Sequence, residues 1–276
     1  MRTTTRRASV FGATALVVAL ASGACSEATT DPNSPVAIAF DSLPAPSIVV
    51  GDTLRDALTG LVAPLTAQAF NSKGAPITNP NFTYFTRDTT GALRVVDGNL
   101  LVAGDTAHDA TITLIASLNG LQLQQKIDIV RRPDSLVQAF DSVPTFTLVV
   151  PDDPSNVTPG ALTPDTMKVR VVHDSSGVLQ PVKSWVVFYD VAYAAPKLAD
   201  SVRIVAAGTS GTVRSAPPSA VDTTDASGYA SRRVRVFAKA ATEVGTRDSV
   251  IVNISATYRG VPLAGSPVKV VLRVAR

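Results

Sequence analysis

The chain has one cysteine, two histidines and few aromatics, the last only 5% of its 276 residues. A single cysteine excludes an internal disulfide, so packing alone must hold the fold. The histidines, His108 and His173, each precede an aspartate in a turn-like setting, which suits solvated loops better than a base beside a nucleophile. HExxH, CxxC, P-loop, Rossmann and GxSxG patterns are all absent. Charge is also scarce, at 17% of residues, and the formal net of +3 comes from the N-terminus. Arg2, Arg6 and Arg7 lie in the first 24 residues, which hold no acid, and beyond them 22 basic and 22 acidic side chains remain. Such a balance offers no stripe for phosphates, so no nucleic-acid partner is expected.

What is present is Val, Ala, Thr, Ser, Asp, Gly and Pro in short runs, the texture of β-structure. Ala39-Phe40-Asp41-Ser42-Leu43-Pro44 recurs one hundred positions later as Ala139-Phe140-Asp141-Ser142-Val143-Pro144, each copy followed by a Val-Val pair. A repeated opening strand implies two units of one architecture in series. Two further echoes support it. Ser117 to Leu123 matches Thr257 to Leu263 as a final hairpin, and Asn71 to Gly74 matches Asp174 to Gly177 as a turn after the second strand.

Before the repeat, a basic stretch with Arg2, Arg6 and Arg7 leads into the apolar run Ala8–Ala21, too short for a stable bilayer span, and the small residues Ser22-Gly23-Ala24 precede Cys25. This reads as an export signal over 1–24, with Cys25 where a bacterial lipoprotein box places its acylated residue. Ser22 stands where such boxes usually carry Leu, and the other reading is a secretory signal cut after Ala24. Residues 25–35 are polar and Pro-containing, a tether. Ser26 after the cysteine, by resemblance to diderm lipoproteins, favours the outer membrane.

In the first unit, strands are expected over Val36–Phe40, Ile48–Val50, Leu65–Phe70, Phe82–Thr86, Leu93–Val96, Leu100–Ala103, Thr111–Ser117 and from Leu121, with the break at Pro44 and Pro46 moving the opening strand between sheets. Asn119-Gly120 is the strongest hairpin signal, and Leu121, Leu123, Ile127 and Ile129 alternate with polar neighbours. Arg131-Arg132-Pro133-Asp134 leaves no long linker, so the units abut. The expected fold is all-β, two tandem immunoglobulin-like antiparallel β-sandwiches at 36–132 and 133–276 after the lipoprotein signal peptide.

With Gly51-Asp52-Thr53-Leu54 and Val95 to Gly104, the first unit resembles the group 2 bacterial Ig-like domains. The second, with Thr224-Asp225-Ala226-Ser227-Gly228-Tyr229-Ala230 leading into Arg233-Val234-Arg235-Val236, resembles the invasin and intimin type, and Val182–Phe188 would be its preceding strand. Tyr189–Ala220 exceeds that pattern in length and implies an added hairpin or loop.

Candidate sites are few. Trp185 and Tyr189 share a strand parity and could form an exposed aromatic pair for a sugar or a partner, or belong to the core. Asp174, Asp222 and Asp225 could supply oxygens to calcium or bond their own turns. Ser266-Pro267-Val268-Lys269 spells SxxK, but on an alternating terminal strand. No cofactor or metal is expected. The sum is a non-enzymatic cell-envelope lipoprotein held to a membrane through a lipid on Cys25, presenting its modules for adhesion, spacing or an unknown protein or polysaccharide partner. A carbohydrate-binding protein and an accessory subunit of an envelope or secretion complex are the alternatives.

Overall fold

Apolar runs of four to nine residues, cut by Gly, Pro, Asn and Asp, favour strands closed by tight turns. The computed structural model describes residues 34–40, 43–105, 109–140, 145–149, 166–196, 198, 202–206, 218–236 and 248–275; the export signal expected over 1–24, Cys25 and His108 lie outside them. Among the described residues every regular element is a strand.

The first unit comprises β1 (Ala37–Phe40), β2 (Ser47–Val49), β3 (Ala67–Phe70), β4 (Thr83–Thr86), β5 (Leu93–Val96), β6 (Leu100–Ala103), β7 (Ala110–Leu118) and β8 (Leu121–Val130). One sheet runs β2-β8-β7-β4, while β1 pairs with β3 and β5 with β6. Ile48, Leu54, Leu65, Leu93, Leu101, Leu114, Ile127 and Ile129 fill the space between them, each at most 2% exposed.

The second unit comprises β9 (Ser135–Gln138), β10 (Thr145–Val149), β11 (Met167–Ser175), β12 (Val178–Pro181), β13 (Val186–Ala194), β14 (Val202–Ala206), β15 (Ser219–Thr223), β16 (Tyr229–Val236), β17 (Ser249–Ser255), β18 (Thr257–Tyr258), β19 (Val261–Pro262) and β20 (Val268–Ala275). Its sheets run β10-β20-β17-β13-β15 and β12-β11-β16-β14, with β9 also on β11. Alternate residues of β11, β13, β16, β17 and β20 close its core.

The sequence repeat marks one topological event. In the first unit β1 is antiparallel to β3, and past Pro44 and Pro46 the chain resumes as β2, parallel to the final strand β8. In the second, β9 is antiparallel to β11 and β10 runs parallel to the final strand β20. Each opening segment therefore crosses from one sheet to the other. The hairpin echo also holds: Asn119-Gly120 and Arg259-Gly260 both adopt positive φ at both residues (50° and 85°, 53° and 75°), the mirror-image turn that matches strand twist.

Two expectations in the second unit need correction. The strand placed at Val182–Phe188 starts only at Val186 and runs to Ala194. Ser184 has φ 53° and its N–H donates to the Thr224 carbonyl, so 182–185 forms a turn between the sheets. Of the added hairpin or loop expected in Tyr189–Ala220, the described parts hold no separate hairpin, and 207–217 lie outside the described residues. β14 completes one sheet against β16, and β15 pairs with β13 in the other. The Thr224–Ala230 turn is as expected. Asp225 Oδ1 accepts the Ser227 and Tyr229 N–H groups at 2.8 and 3.0 Å, and Gly228 (φ +78°) is packed so that a Cβ would lie 2.7 Å from the Val171 carbonyl.

Candidate functional site

β8 ends at Val130 and β9 begins at Ser135, so the two units must meet end to end. What meets is a turn of the first unit, residues 51–60, and the short hairpin β18–β19 of the second, with Lys183-Ser184 alongside. Asp52, 6% exposed, is the centre. From its own unit it accepts the Thr53 N–H at 2.8 Å, Arg55 Nε at 3.1 Å and Arg55 Nη2 at 3.2 Å. From the other unit it accepts the Tyr258 hydroxyl at 2.9 Å and Arg259 Nε at 3.1 Å. Burial alone would raise its pKa. The Arg55 and Arg259 guanidinium groups, the Thr53 N–H and the Tyr258 hydroxyl outweigh that and hold the carboxyl well below the usual carboxylate range. Burial first, and Asp52 beside it, push the Tyr258 phenol up, so it stays protonated and can donate.

A second clamp lies beside the first. Asp128, on the wet parity of β8, accepts the hydroxyls of Ser184 and Thr111 and pairs with Lys183 Nζ at 3.0 Å. The Ser47 hydroxyl donates to the Ser184 carbonyl at 2.7 Å. Between the clamps the Trp185 and Tyr258 rings tilt together at 6.2 Å, and the Arg132 and Arg259 guanidinium carbons lie 5.5 and 5.3 Å from the Tyr258 ring centre. Val49 and Val130 of the first unit join the apolar cluster of the second, and Val50 packs against the clusters of both units, so apolar contact crosses the join. A cavity of about 40 Å³ remains, lined by Ser47, Asp52, Arg55, Trp185 and Tyr258. That is room for a water or two, well short of the roughly 300 Å³ of a metabolite site. This arrangement fixes one unit against the other.

The aromatic pair read from the sequence does not form a docking surface. Tyr189 is 0% exposed, its hydroxyl 3.4 Å from the Met167 carbonyl, because its parity on β13 faces the opposite sheet. Trp185, one residue before that strand, is half-buried in the join. His173 sits on β11 rather than in a solvated loop, with Nδ1 at 2.7 Å from Asp134 Oδ2 and 3.0 Å from the Arg132 carbonyl. The three aspartates considered for calcium are apart and engaged. Asp174 and Asp225 cap their own turns, and Asp222 pairs with Arg232 at 3.2 Å. No group of three metal-ligating side chains occurs among the described residues. Ser266 Oγ accepts the Ala256 N–H at 3.2 Å as a turn contact.

The sequence reading missed Asp52, Tyr258 and Arg259 as a set. Two signals were there: the acid inside the Gly51–Leu54 motif, and a cation rather than Asn at the hairpin turn that echoes Asn119-Gly120.

No family model and no curated protein matches the chain. Among solved structures it is similar to domains 4 and 5 of the S-layer protein SbsC, at 11% identity over 87% of this chain and 96% of that one, with a TM-score of 0.29. It is similar also to repeats EC1-2 of human protocadherin-24, at 13% identity over 88% and 99%, TM-score 0.26. Domains 5–6 of SbsC give 14% identity over 88% and 100%, TM-score 0.27. With scores of this size the architecture rests on the chain's own ladders, and these are all-β and sandwiched.

Proposed function

We propose that the protein is a non-enzymatic envelope lipoprotein that holds two Ig-like modules, 36–132 and 133–276, as one stiff spacer at a membrane. A signal at 1–24 exports the chain, an acyl group on Cys25 anchors it, and 25–35 tethers the modules. The first module is of the group 2 bacterial Ig-like type and the second of the invasin and intimin type, on the motifs quoted above. The observation that carries the spacer reading is the join: a buried carboxylate shared by donors from both units, backed by apolar contact across it through Val49, Val50 and Val130. Relative motion is the default for neighbouring domains, and here a four-residue linker, a shared buried carboxylate and apolar contact across the join oppose it.

The anchor is tested separately. Cys25→Ser is expected to move the protein from the detergent phase to the aqueous phase and to lower its mass by that of the lipid. Identical partitioning and mass of wild type and variant would refute acylation.

A further inference from the structure

Along the sequence the charges are dispersed, but strand pairing gathers some of them. On the β11-β16-β14 sheet, Lys168 is opposite Ser231 and Arg170 opposite Tyr229, while Arg233 is opposite Val205 and Arg235 opposite Arg203. Parity sends Met167, Val169, Ala230, Val234 and Ile204 inward, each at most 2% exposed. The alternate positions therefore share the outer face, and five of them are basic: Lys168, Arg170, Arg203, Arg233 and Arg235. Among the described residues of these three strands one acid, Asp174, shares the outward parity, and it stands at the far end of β11, four positions past Arg170, where it caps its own turn. Arg232, on the inward parity, pairs with Asp222 at 3.2 Å. Arg235 is 1% exposed and structural; the other four are partly exposed.

The open end of the face is built around one ring. Lys168 Nζ lies 4.0 Å from the Tyr229 centroid and the Arg170 guanidinium carbon 5.4 Å, so two cations share it, and Arg170 Nε donates to the Ser227 carbonyl at 3.0 Å. Opposite and diagonal neighbours on paired strands lie about 5–8 Å apart, a spacing at which like charges repel. A polymer with repeated anionic groups relieves that repulsion and meets several cations at once. With Lys168 over its face, the Tyr229 ring is not a free stacking platform of the kind single-stranded nucleic acids use.

We propose that this face binds an acidic polysaccharide, a chain bearing carboxylate or phosphate groups along its length. The choice of a glycan rests on the envelope reading; the charge of the face does not. The test uses the full chain in neutral detergent, with polygalacturonate as probe and dextran and duplex DNA as comparison chains. Wild type should bind polygalacturonate with an affinity that falls as salt rises, and dextran far more weakly. The triple variant Lys168→Gln/Arg170→Gln/Arg233→Gln should lose about tenfold or more, whereas Lys73→Gln/Arg94→Gln in the first unit should lose nothing. Should the triple variant misfold, Lys168→Gln alone, with an unchanged circular dichroism spectrum, should still show a measurable loss. Unchanged affinity in the folded variants, dextran binding as tight as polygalacturonate, or DNA binding tighter than either would overturn the proposal. Loss of polygalacturonate binding in the variants together with unchanged partitioning of Cys25→Ser would refute the anchor and leave this surface standing.

Discussion

Asp52→Ala is expected to uncouple the two halves of the molecule. It removes the acceptor of Arg55, Tyr258 and Arg259 at once, and breaking a buried charge cluster from one side costs about 3 kcal/mol, since the remaining partners are left unsatisfied. Wild type should unfold in a single calorimetric transition, and the variant in two. Asp52→Asn, which keeps the shape and loses the charge, should fall between them. The same carboxylate sets the pH response. Its pKa is lowered in the folded state, so its contribution is fully present above the unfolded value of about 3.9 and is lost as pH falls through the lower folded value. Tyr258 is raised, so its contribution is present below its unfolded value of about 10 and fades only as pH rises past the folded one. Coupling should therefore be flat between about pH 5 and 9, weaken below about 4 as Asp52 takes up a proton, and weaken again above about 10 as Tyr258 loses its own.

Gly60→Ala should give the second large effect, by a steric route that leaves every charge in place. Gly60 has φ +72°, and a Cβ there would lie 1.9 Å from the Gly260 nitrogen and 2.3 Å from the Arg259 carbonyl carbon. Those are backbone atoms of the opposing hairpin turn, so the side chain cannot be accommodated by a rotamer change and the 56–60 turn must back away. Gly74→Ala is the matched control: φ is +74° and nothing lies within 4 Å of its Cβ. Both substitutions carry the left-handed penalty of about 1–2 kcal/mol, but only Gly60→Ala adds the cost of overpacking, about 2 kcal/mol more. Equal loss in the two variants would mean that the turns do not touch in solution.

What was legible in the sequence was what is local or periodic. The Asn119-Gly120 and Asp225–Tyr229 turns are fixed by residues within a few positions of each other, and the Phe40 and Phe140 repeat marks a strand crossing that each unit makes alone. Parity put Trp185 and Tyr189 together but could not say which side was wet; the opposing β11 strand decides that for Tyr189. The join was hidden for a different reason. Asp52 reads as a turn acid and Arg259 as a turn cation until about two hundred residues of intervening chain bring them together. The basic face was hidden likewise, because its members come from three strands and average to neutrality along the chain.

The central claim, that the join makes one stiff body of two sandwiches, is tested most directly by a distance distribution across it. Spin labels at Lys73→Cys and Ala226→Cys in a Cys25→Ser background place one probe on each unit, both at exposed turn positions. Pulsed electron paramagnetic resonance should return one narrow distance peak, little changed between low and high salt because the shared carboxylate is buried, and Asp52→Ala should broaden it. A broad, salt-dependent distribution in the otherwise native protein would contradict the account.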